Sequence, residues 1–96
     1  MKIIDGEDGA WYLLQDGDSL FLDVNCNLSF IGYTFLLKLN SDERSEYQAR
    51  GRTYLDELAQ RIDGSAPAAR DSTSEFNGRD CTKEYRDQVN AAFSPQ

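Results

Sequence analysis

Trp11-Tyr12-Leu13-Leu14-Gln15-Asp16-Gly17-Asp18-Ser19-Leu20-Phe21-Leu22-Asp23-Val24-Asn25 is the stretch whose reading decides the fold. Asp16-Gly17 is a strong two-residue hairpin signal, because glycine reaches the positive φ that such turns require. On its far side the alternation is clean: Leu20, Leu22 and Val24 point one way, Phe21, Asp23 and Asn25 the other. A period of two belongs to a strand with one covered face and one wetter face. The hairpin therefore predicts an antiparallel pair in which Asp23 is the one acid on a half-buried strand.

Working outward, residues 2–5 form a short strand, and Asp5-Gly6-Glu7-Asp8-Gly9 is a turn cluster. Downstream, Tyr33, Phe35, Leu37 and Leu39 alternate with Thr34, Leu36 and Lys38, which makes another strand. Consecutive strands with short turns favour a meander. After it the period changes. Tyr47, Gly51, Leu55, Leu58 and Ile62 recur at helical spacing, with Asn40 and Glu43 placed as a capping box and Gly64 as the C-terminal stop. Gly51, inside the stripe, reads as a point of close helix–sheet packing beneath Trp11 or a strand aromatic. Residues 64–79 are small and polar around one aromatic, Phe76, and residues 82–93 return to a helix with the stripe Tyr85, Val89 and Phe93. The expected fold is a single α+β domain over residues 1–96. An antiparallel meander of three or four strands is packed by one long helix over about 41–63, with a shorter C-terminal helix over about 82–93.

Charge is unevenly distributed. The chain has a formal net charge of −7, and its first 25 residues hold six acids (Asp5, Glu7, Asp8, Asp16, Asp18, Asp23) against Lys2 alone. Nucleic-acid binding would need a basic stripe, but Arg44, Arg50, Arg52 and Arg61 are interleaved with Asp42, Glu43, Glu46, Asp56 and Glu57. Residues 1–9 lack the apolar core of a signal peptide, and no apolar run approaches a membrane span of about 20 residues. The expectation is a cytoplasmic protein without membrane contact. Cys26 and Cys81 read as free thiols in such a chain; a bridge between them would tie the strands to the C-terminal segment.

No catalytic constellation accompanies the acids. Without histidine, neither cysteine has the usual base, and two cysteines leave a zinc site short of soft ligands. Asp16-Gly17-Asp18-Ser19-Leu20 opens like a calcium loop, but Leu20 stands where a ligand is needed. The chain reads as a binding domain with no cofactor, no metal and no enzymatic activity.

The segment joining the best strands, Asn25-Cys26-Asn27-Leu28-Ser29-Phe30-Ile31-Gly32, is unusually apolar for a connection. Either Asn25–Asn27 is the turn and 29–31 extend the next strand, or Leu28, Phe30 and Ile31 form an apolar anchor beside acidic turns, the arrangement of a protein interface.

Leu22-Asp23-Val24-Asn25-Cys26-Asn27, Gly32-Tyr33-Thr34-Phe35, Lys38-Leu39-Asn40 and Tyr54-Leu55-Asp56-Glu57-Leu58-Ala59 resemble a group of small bacterial proteins that look like immunity proteins of interbacterial toxins. The resemblance spans residues 20–62. It implies a short, acidic β-then-α inhibitor that neutralises a cognate toxin by direct binding. The reading of the residues agrees with it. Asp16, Asp18 and Asp23 would face cationic side chains of a basic protein partner, and Leu28, Phe30 and Ile31 would anchor the contact. The alternative is a self-associating structural or adaptor module that pairs through the 1–5 edge or an uncovered sheet face, so the chain is expected to be a monomer or a homodimer.

Overall fold

The structure is a computed structural model and describes residues 1–28, 31–67 and 73–93. Four strands, β1 (Lys2–Glu7), β2 (Trp11–Asp16), β3 (Ser19–Leu28) and β4 (Ile31–Lys38), form one antiparallel sheet in chain order. Three helices follow: α1 (Ser41–Arg50), α2 (Arg52–Ser65) and α3 (Thr82–Phe93). The fold is α+β, and its meander has four strands.

The hairpin forms one residue later than the sequence suggests. Asp16 still pairs with Ser19, so the two-residue loop is Gly17-Asp18. Gly17 sits at φ 59° and Asp18 does not share a positive φ, which matches a turn with glycine in its first central position. The alternation holds on both sides. Trp11, Leu13, Leu22, Val24, Cys26, Phe35, Leu37 and Leu39 face α2 and join Tyr54, Leu55, Leu58 and Ile62 in the main core. Leu14, Phe21 and Leu36 face the opposite way and are covered by Tyr85, Val89 and Ala92 of α3. Both faces of the sheet thus carry helix.

Several sequence expectations are corrected. Asn25, Cys26 and Asn27 are not a turn: they lie in β3, paired with Thr34, Tyr33 and Gly32, and the ladder runs on to Leu28 and Ile31. The expected long helix is broken at Gly51, which adopts φ 67° and ψ −148°, a backbone state essentially confined to glycine. Nothing lies within 4 Å of where a Cβ would sit, so the reason for glycine there is backbone conformation, not close packing. Gly64 lies inside α2, and Ala66 is the left-handed cap. The capping box forms as expected: Asn40 Oδ1 accepts from Glu43 N–H at 2.8 Å and Glu43 Oε1 accepts from Asn40 N–H at 2.9 Å.

Of the 64–79 connection, residues 68–72 lie outside the described residues; Phe76 is 1% exposed within the main core. The chain then runs along β4. Asp80 forms an antiparallel bridge with Leu37, and Cys81 N–H donates to Leu36 C=O at 3.0 Å. Arg79 donates to both carboxylate oxygens of Glu43, at 2.7 and 3.0 Å, and to Lys38 C=O at 3.1 Å. This segment closes the β4 edge, because it occupies ladder groups that would otherwise face outward. β1 remains the open edge, and a register shift between Ile3 and Asp5 kinks it. Among the described residues no helix is long and apolar enough to cross a membrane.

Candidate binding sites on the sheet

Asp23 lies in mid-sheet on the α3 side, between Tyr12 of β2 and Leu36 of β4. It opens into a cleft of about 480 Å³ whose floor is Asp23, Thr34 and Leu36. Arg86, Val89, Asn90 and Phe93 of α3 form the roof. The cleft exists because α3 docks through scattered contacts: the Tyr85 ring packs 4.7 Å from Phe21 and the Phe93 ring sits edge-on to Tyr12 at 4.9 Å. No residue of α3 is fully buried. Asp23 is half-buried and accepts no hydrogen bond from the described residues. Burial, reinforced by the nearby Asp80 carboxylate, raises its pKa from 3.8 to about 6. Asp80 itself is well satisfied, accepting from Leu36 N–H, Thr82 N–H and the Thr82 hydroxyl.

A second, shallower groove opens at the end of the sheet that carries the β1–β2 and β3–β4 connections. One wall is Asp56, Gln60 and Asp63 of α2; the other is Asn25 and Asn27 of β3 with the Gly9-Ala10 turn. It adjoins another hollow lined by Asn25, Asn27, Gly32, Tyr33 and Thr34. Asp56 accepts from the Trp11 indole at 2.8 Å and Asp63 from Asn27 N–H at 2.9 Å. Each carboxylate thus uses one oxygen to tie α2 to the sheet, and among the described residues no cation lines either hollow. Asp56, Gln60 and Asp63 are spaced i, i+4 and i+7, one stripe beside the buried Leu55, Leu58 and Ile62. That spacing is readable in the sequence as a polar stripe flanking the apolar one.

Among the described residues, the sequence-derived contact positions do not converge. Asp16 and Asp18 flank Gly17 at one end of β3, whereas the Leu28–Ile31 backbone pair closes the other. Nine strand steps separate the ends, roughly 30 Å. Phe30 lies outside the described residues. Asp23 stands between the two ends and faces the α3 cleft.

Nor is the N-terminal acid a free field. Arg52 pairs with Glu7 at 2.8 Å and Asp5 at 3.9 Å while lying over the Trp11 ring. Asp8 accepts from the Tyr12 hydroxyl at 2.9 Å, and Asp16 lies 4.0 Å from the N-terminal amine. The cysteines are free and sit on opposite faces of the sheet: Cys26 in the α2 core, Cys81 beside α3. Burial pushes the Cys26 thiol up to about 11 and raises Cys81 as well, so neither is an activated nucleophile. Among the described residues no group of three or more His, Cys, Asp or Glu could hold a metal ion.

No protein-family model, curated protein or solved structure matches this chain.

Proposed function

We propose that the protein is a binding domain for a basic protein partner, of the immunity type that neutralises a toxin by direct contact. The supporting observation is the groove of Asp56, Gln60, Asp63, Asn25 and Asn27, which has two carboxylates and no cation among the described residues. It lies at the end of the sheet where Leu28 and Ile31 pair. Acid is therefore presented at this end of the sheet by Asp56 and Asp63, not by Asp16 and Asp18. Carboxylates with unused oxygens suit arginine or lysine side chains of a partner. Asp16 and Asp18, at the far end, lie beyond a Debye length of about 8 Å and contribute only to steering at low salt.

The test is the association rate of a basic partner co-purified from the native host. Gln60→Lys together with Asp63→Asn should slow association about tenfold or more at low salt, with the effect fading as salt rises. Asp16→Lys with Asp18→Lys should do less. An on-rate that the groove variants leave unchanged contradicts this placement. Failure of co-expression to relieve any toxicity of the partner contradicts the inhibitor role.

A self-associating module is the second reading. It is favoured by Ile3 and Ile4, 37% and 40% exposed on the open β1 edge. The kink between Ile3 and Asp5 opposes it, because a bulge turns an edge away from strand addition. Light scattering across a concentration series separates the two: a dimer that Ile4→Lys disperses supports self-association.

A further inference from the structure

We propose that the cleft between the sheet and α3 is a binding site for a small primary amine with an apolar body, whose ammonium group is held by Asp23. Three observations carry this. The volume, about 480 Å³, lies within the range of small-molecule sites, roughly 300–1,000 Å³. Its walls are apolar at Leu36, Val89 and Phe93, with the Tyr12 ring beside Phe93. Asp23 is the one carboxylate among the described lining residues, and no described residue donates to it.

The contrast with Asp80 is instructive. Asp80 answers three protein donors, as a structural carboxylate should. Asp23 is held half-buried beside that second negative charge with no described residue donating to it, so the field at the cleft floor favours a cation. Arg86 lines the same cleft but makes no ion pair with Asp23. It is exposed, where solvent screens its charge. An ammonium group would donate to the unused Asp23 oxygens, and an aryl or alkyl body would cover Leu36 and Val89. An aromatic edge such as Phe93 tolerates either body.

The site is distinct from the groove assigned to the protein partner, so each assignment can fail alone. The experiment is an NMR titration of the full chain with phenethylamine at about pH 7.5, against phenethyl alcohol, which has the same body and no charge. Phenethylamine should produce saturable shifts at Thr34, Leu36 and Val89, with the alcohol at least tenfold weaker. Asp23→Asn should weaken the amine at least tenfold, and its intact spectrum will show that it folds. Lowering the pH from about 7.5 to about 5 should weaken binding by roughly tenfold, because Asp23 then carries a proton in about nine molecules of ten. The proposal is overturned by no saturable shift up to about 10 mM, by equal binding of the alcohol, or by an Asp23→Asn variant that binds as well as the parent.

Discussion

On one face of the sheet, Leu55, Leu58 and Ile62 of α2 meet Leu13, Leu22 and Val24, and all six are at most 1% exposed. On the other, Leu14, Phe21 and Leu36 are buried equally well, yet the helix above them has no fully buried residue and leaves a cleft around Asp23. The difference shows how a chain of 96 residues divides its labour. A small domain needs only one well-filled core to reach a net stability of about 5–10 kcal/mol. The second face can then be covered loosely, and it can hold a carboxylate that costs stability. Burial of Asp23 is such a cost, and costs of this kind concentrate where a protein binds something.

The comparison breaks most directly through side-chain truncation. Leu58→Ala should lose about 3–4 kcal/mol in urea unfolding, and Val89→Ala only about 1 kcal/mol. Equal losses would mean that α3 is as structural as α2. Next in size is the closed edge on the α1 side. Burial would raise the Glu43 carboxyl, but hydrogen bonds from Arg79 and the Asn40 backbone outweigh it and hold it below its usual 4.5. A depressed acid stabilises the fold above its unfolded pKa, and that contribution is lost as pH falls through the folded value. Arg79→Ala should therefore cost about 2 kcal/mol near neutrality, a discount for its partial exposure included, and the difference from the parent should shrink below about pH 4.5. A pH-independent difference would assign the loss to packing.

Gly51→Ala should cost about 1–2 kcal/mol, since alanine tolerates φ 67° with ψ −148° poorly. A neutral or stabilising result in thermal unfolding would mean that α1 and α2 can fuse into one helix. Asp23→Asn has the smallest effect and the opposite sign. The folded protein holds this proton up to about pH 6 and the unfolded chain releases it near 3.8, so stability falls as pH rises between those values and stays reduced above them. The asparagine variant should gain about 1 kcal/mol at neutral pH, discounted for solvent screening, and nothing near pH 3. A loss at neutral pH would mean that the carboxylate is structural.

The well-filled face was the legible one. Alternation through Leu20, Leu22 and Val24 and the Asn40–Glu43 box are local signals, and the structure keeps both. Gly51 misled because a glycine at helical spacing looks the same whether it admits a neighbour or a positive φ. Asn25 and Asn27 are good turn formers, yet cross-strand pairing and the Asp63 bond to Asn27, 36 residues away, hold them in β3. Asp23 was legible as a half-buried acid; the cleft above it was not. Its roof comes from Arg86 to Phe93, and a stripe as sparse as Tyr85, Val89 and Phe93 does not encode which face it covers. Among the expected contact residues, strand length sets Asp16 and Asp18 at one end of β3 and the Leu28–Ile31 backbone pair at the other, with Asp23 between them.

The α3 face keeps Asp23 as a half-buried carboxylate to which no described residue donates. An NMR pH titration of its side-chain carboxyl carbon in the unliganded protein tests this most directly. The account predicts a midpoint of about 6, well above the ordinary 3.8. A midpoint at or below the ordinary value would show that Asp23 is solvated or paired, and would contradict it.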